Sequence, residues 1–86
     1  MALVVVSIYD KAAEAFGRPA FVPAVGLALR SFIDECNRDA PDNSMFKYPN
    51  DYALYRLGSF DEVTGRFDCL EVPERLFEAS NAKSGS

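Results

Sequence analysis

The stretch Asn50 to Glu71, NDYALYRLGSFDEVTGRFDCLE, constrains this chain more than any other. Two runs rich in aromatic and aliphatic residues, Tyr52 to Phe60 and Arg66 to Val72, suit a pleated, half-buried surface. Between them, Asp61-Glu62-Val63-Thr64-Gly65 carries turn chemistry. The side chains of Asp61 and Thr64 can bond to nearby backbone, and Gly65 can take the positive φ that a short hairpin loop needs. The segment therefore predicts a β-hairpin. On its first arm, Tyr52 and Leu54 point to one face while Tyr55 and Leu57 point to the other.

The chain opens MALVVVSIYDK. No basic segment precedes the apolar run, which reads as a strand over Leu3 to Tyr9 rather than a secretion signal and is too short to span a bilayer. Val4, Val5 and Val6 lack alternation, as expected for a strand covered on both faces. Lys11 to Phe16 suggests a helical turn or two, begun at Asp10 and ended by Gly17. Arg18-Pro19 then leads into an extended connection.

One amphipathic helix is predicted from Pro23 to Arg38, with Pro23 at its first position. Val25, Leu29, Phe32, Ile33 and Cys36 recur at three- and four-residue spacing and form an apolar stripe. Asp34 and Arg38 are placed for an i, i+4 ion pair. Ala40 to Ser44 ends this helix, and Met45 to Pro49 leads into the hairpin. After Val72, Pro73 is expected to close the ladder, and Glu74 to Ala79 to form a short helical turn. The expected fold is α+β: a small βαββ domain over residues 1–79, with one amphipathic helix on a three-stranded mixed sheet. A right-handed crossover would make the first two strands parallel. Residues 80–86 are small and polar and read as a flexible tail.

Chemistry is largely missing. The chain has no histidine, which removes Ser-His and Cys-His pairs and His-based metal sites. Its glycines are scattered singly, so no phosphate loop is present, and the Asp61-Glu62 spacing does not match a calcium loop. Asp34, Glu35 and Asp39 crowd one helix end as a solvated face. No enzyme activity, metal or cofactor is expected. Cys36 and Cys69, far apart, read as reduced, buried thiols, with a disulfide as the alternative. Lys47, Tyr48, Tyr52, Tyr55, Arg56 and Arg66 interleave aromatic and basic groups around the hairpin. Such a set could stack unpaired bases and hold phosphates. A net charge of −4 works against a strong nonspecific grip on nucleic acid.

The run Tyr48-Pro49-Asn50-Asp51-Tyr52-Ala53-Leu54-Tyr55-Arg56-Leu57-Gly58-Ser59-Phe60-Asp61, followed by Thr64-Gly65, resembles a family signature. The family is that of the small nonstructural proteins of gokushovirus-type microviruses, which are single-stranded DNA phages. Ile8 to Ala13 and Ala28 to Phe32 also resemble its patterns. The resemblance implies an accessory role in genome replication or packaging in the host bacterial cytoplasm, with no catalytic residues attached. It leaves two mechanisms open. One is a protein-interaction module docking on a replication initiator, the procapsid or a host factor. The other is weak binding of single-stranded DNA.

The strand and hairpin put apolar groups on both faces of the sheet, whereas one helix of about sixteen residues, roughly 24 Å long, covers only one. A homodimer is therefore expected, unless Leu76 and Phe77 of the tail cover the second face.

Overall fold

A computed structural model describes residues 2–82. The elements follow as β1 (Ala2–Asp10), β2 (Ala15–Phe16), β3 (Ala20–Val22), α1 (Val25–Cys36), α2 (Ser44–Lys47), β4 (Tyr52–Asp61) and β5 (Arg66–Glu78). Short 3-10 turns occupy Pro49–Asp51 and Ala79–Ala82. The α+β class and the single amphipathic helix across one sheet face agree with the sequence.

The sheet is not the expected three-stranded mixed one. It has five strands and every pairing is antiparallel, in the order β2-β1-β4-β5, with β3 also on β1. The difference originates in residues 11–22. Asp10 Oδ1 accepts from the amides of Ala12 and Ala13, at 3.0 and 3.2 Å, and so shapes a tight turn instead of a helix. The chain then doubles back along β1. Gly17 N donates to Ile8 O at 2.8 Å, and the buried Ser7 hydroxyl donates to Gly17 O at 2.8 Å. β3 leaves the sheet beside Val4, near the beginning of β1. α1 carries the chain back toward the other end, where Lys11 N donates to Asp51 O at 2.8 Å. β4 must then run against β1. A reversal before the helix has removed the premise of the parallel crossover.

The expected stripe of α1 faces the sheet through Phe32 and Cys36 with Leu29 and Ile33 beside them, while Ala28, outside the expected stripe, is buried in the core and Val25 is not part of it. Pro23 lies outside the helix, and the cap position, Ala24, has no side-chain bond. Arg38 pairs with Glu35, at 2.7 and 2.8 Å, instead of with Asp34. The forked guanidinium reaches both oxygens of that nearer carboxylate. From the sheet, Val6 and Leu54 complete the core, flanked by Val4, Ile8, Tyr52, Leu76 and Phe77.

Pro73 does not close the ladder. β5 continues to Glu78, so of the helical turn expected at 74–79 residues 74–78 are strand and Ala79 opens the 3-10 turn. Residues 70–73 bulge opposite Leu57, because Cys69 pairs with Gly58 and Glu74 with Arg56. Proline is tolerated at such a bulge, where no ladder donor is required. Leu57 is also the extra residue where β4 slips against β1, between the Val5–Gly58 and Val6–Arg56 pairs. Of the segment expected to be a flexible tail, Ser80 to Ala82 continues into a 3-10 turn with Ala82 buried. The Asn37 side-chain amide donates to Ala82 O at 2.7 Å. Residues 83–86 lie outside the described ones.

Candidate interaction surface

Alternation fixes what the two sheet faces carry. Val4, Val6 and Ile8 pack toward α1, so Leu3, Val5, Ser7 and Tyr9 turn the other way. Their partners in β4 on that outer face are Phe60, Gly58, Tyr55 and Ala53. Phe16 stands beside Tyr9, Phe21 beside Val5, and Phe67 beside Phe60. The outer face therefore gathers aromatic rings from all five strands.

The rings form two triads. Tyr9, Phe16 and Tyr55 lie with centroids 4.7, 5.8 and 5.4 Å apart. Phe21, Phe60 and Phe67 lie 5.6, 6.1 and 4.8 Å apart. These tilted and edge-to-face arrangements are favoured by the ring quadrupoles, at about 0.5–1.5 kcal/mol per pair beyond area burial. Between the triads is an apolar hollow of about 200 Å³, walled by Val5, Pro19, Leu57, Phe67 and Cys69. A shallower one of about 410 Å³ lies among Tyr9, Phe16, Tyr55, Val72 and Pro73. No charged side chain lines either hollow.

The face is open. Phe67 is 58% exposed, Phe21 45%, Phe16 42% and Val72 73%. Leu76 and Phe77, the candidates for covering it, pack instead on the α1 side, with Phe77 opposite Leu54. A charged cluster lies where β1 and β5 end. Lys11 Nζ lies 2.6 Å from Glu78 Oε1, and Arg75 Nη1 lies 3.1 Å from Glu78 Oε2. The Lys11 hydrogen bond, assisted by its charge and by Arg75, holds the Glu78 carboxyl below its ordinary value against the effect of burial.

The residues singled out from sequence are scattered by this fold. Of them, Tyr55 belongs to the aromatic face. Tyr52 packs against the core on the α1 side. Lys47 ends α2 and Tyr48 follows it, both exposed. Arg56 is half-buried, its guanidinium 3.7 Å from Glu74. Arg66 is exposed where β5 leaves the turn. The set does not form one surface, because neighbours in a strand alternate between faces. Sequence reasoning missed Tyr9, Phe16, Phe21, Phe60 and Phe67. A period-two reading on each side of the hairpin could have found Phe60 and Phe67. Phe16 and Phe21 depended on residues 11–22 becoming strand.

The thiols of Cys36 and Cys69 are unbridged. Cys36 is buried against α1's side of the sheet, whereas Cys69 is exposed on the outer face, contrary to the expectation that both are buried. Among the described residues, no group of three or more His, Cys, Asp or Glu side chains could hold a metal ion. No described helix is long and apolar enough to cross a membrane.

A small α+β domain with one sheet face packed and the other open and aromatic is thus the class the geometry defines. The family model described as Phage ORF5 protein matches residues 3–82, and the chain belongs to that family of phage proteins. No curated protein and no solved structure gives a significant match to it.

Proposed function

We propose that this phage protein is a nonstructural accessory factor of single-stranded DNA genome replication or packaging, working in the host bacterial cytoplasm. It acts by docking on another protein and carries out no catalysis. The observation that carries the reading is the aromatic outer face, apolar at its centre and open to water. Contiguous exposed apolar surface of this kind marks a contact surface, and depletion of charge at its centre is typical of the buried part of protein interfaces. The microvirus-like signature supports the phage context, since Tyr55, Leu57 and Phe60 within it help build this face.

The test compares phage carrying the parent protein with phage carrying Phe67→Lys, both tagged. The replication initiator or a procapsid protein should co-purify with the parent and be lost from the variant. Equal recovery from both would sink the proposal.

A second reading, binding of single-stranded DNA, is favoured by the exposed rings of Phe16, Phe21 and Phe67 on an antiparallel sheet. It lacks flanking cations at the face's centre, and the chain is acidic overall. Fluorescence anisotropy with a labelled oligonucleotide distinguishes the two readings. Weak, strongly salt-dependent binding is expected. Submicromolar affinity at physiological salt, lost in Phe67→Ala, would favour the second.

A further inference from the structure

We propose that the outer face of the sheet is a homodimer interface, in which two copies of this chain pack sheet to sheet. This rests on the reading of that face as a protein-contact surface and names a second copy of this chain as its occupant when no phage partner is bound, the two competing for one surface.

Four observations lead to a second copy. The first is size. β1 and β4 contain 9 and 10 residues. At about 3.3 Å per residue, and with four strand columns about 4.8 Å apart, the face has a flat footprint of roughly 600 Å². Stable pairs bury about 600–1,000 Å² from each partner, so the face reaches the lower end of that range.

The second is that the sheet cannot readily pair through its edges. The outer edge of β5 is broken by the bulge at residues 70–73, contains Pro73 and carries Asp68, Glu71 and Glu74. On the other side β2 and β3 offer 2 and 3 residues. Short, bulged, charged edges resist strand addition.

The third is self-complementarity. Phe67 projects from one end of β5, and the hollow walled by Tyr55, Val72 and Pro73 lies toward its other end. A two-fold axis lying between the sheets and running across the strands exchanges these ends. Each Phe67 then meets the hollow of the other protomer, which makes the contact isologous. Interdigitated side chains between two such sheets fill a layer about 10 Å thick, the usual spacing of a β-sandwich.

The fourth is that nothing else in the described chain covers the face. α1, α2, Leu76 and Phe77 all pack on the opposite side.

Sedimentation between about 1 and 100 μM tests the pairing, with the Cys69 thiol as an internal probe. Cys69 lies within the proposed footprint and is exposed in the isolated chain, while Cys36 is buried. The parent is expected at twice 9.5 kDa at the upper concentrations. Alkylation of Cys69 by a maleimide should slow as the protein concentration rises.

Phe67→Lys and Val72→Lys, both at exposed positions, should fold normally by circular dichroism. They should weaken pairing at least about tenfold, because each buries an unpaired ammonium. Their Cys69 alkylation should not depend on concentration. Leu27→Lys, an exposed position on α1, should pair like the parent.

A monomeric parent across the range overturns the inference. So does a dimer disrupted by Leu27→Lys and indifferent to both outer-face changes. A monomer whose Phe67→Lys variant still loses its phage partner overturns the dimer and leaves the docking surface standing. A monomer indifferent to the change in both assays overturns both.

Discussion

Gly58 of β4 lies so close to Cys69 of β5 that a Cβ at Gly58 would sit 2.8 Å from the Cys69 Cα and 2.4 Å from Asp68 O. The strands pinch together here, beside the bulge at Leu57 and at the margin of the hollow between the triads. The obstructing atoms are backbone, so no rotamer change relieves them. Gly58→Ala should therefore destabilise the protein by about 1–3 kcal/mol, the range for overpacking a tight site. Urea denaturation measures it, and a variant as stable as the parent would show that the strands separate freely.

The turn after β4 rests on different physics at Gly65. Its φ is +75°, its amide donates to Asp61 O at 2.7 Å, and Asp61 Oδ1 accepts from Val63 N at 2.9 Å. A β-branched side chain is strained at such a φ, so Gly65→Val should cost roughly 1 kcal/mol or more. Space is not the obstacle, since nothing lies within 4 Å of a Cβ built there. A Gly65→Asn variant, tolerant of the left-handed region, should recover much of the loss. Equal losses for Val and Asn would count against backbone strain as the cause.

Asn43 is a buried polar residue that joins α1 to α2. Its Nδ2 donates to Glu35 O and Arg38 O, both at 2.8 Å, and its Oδ1 accepts from the amides of Met45 and Phe46 at 3.1 and 3.3 Å. Asn43→Ala removes the α2 cap and leaves two carbonyls without this donor, a loss of about 2–3 kcal/mol. Asn43→Asp keeps the cap but turns a carboxylate toward those carbonyls, and should not rescue stability. Thermal denaturation of the two variants decides it; an Asp variant matching the parent would mean the donated bonds contribute little.

The Lys11–Glu78 pair ties the end of β1 to the end of β5. Because the folded Glu78 pKa is depressed, its contribution is fully present above the unfolded value, about 4.3. It is lost as pH falls through the lower folded value. The stability difference between the parent and Glu78→Gln should therefore shrink as pH falls from 6 toward about 3. A difference that grows on acidification would reverse the assigned sign.

The sequence by itself determined the local elements. The three- and four-residue spacing from Val25 to Cys36 specifies a helix with one apolar stripe. Asp61 to Gly65 specifies the turn, since its backbone needs are met by side chains within five residues. The Val4-Val5-Val6 run announced the strand, but the cover it implied on both faces is present only on the α1 side. Tertiary structure alone decided the sheet's direction, its five strands and the composition of its outer face. Within residues 11–22 the local signal pointed to a helical turn, yet Ala15–Phe16 and Ala20–Val22 become strand because β1 offers an open ladder for them. That fold-back reversed the chain before α1 and put Phe16 and Phe21 next to Tyr9 and Phe60. The bulge opposite Leu57 likewise let β5 pass Pro73, carrying Leu76 and Phe77 to the core side. Such pairings join residues many positions apart, and their energy comes from long-range contacts that no local pattern encodes.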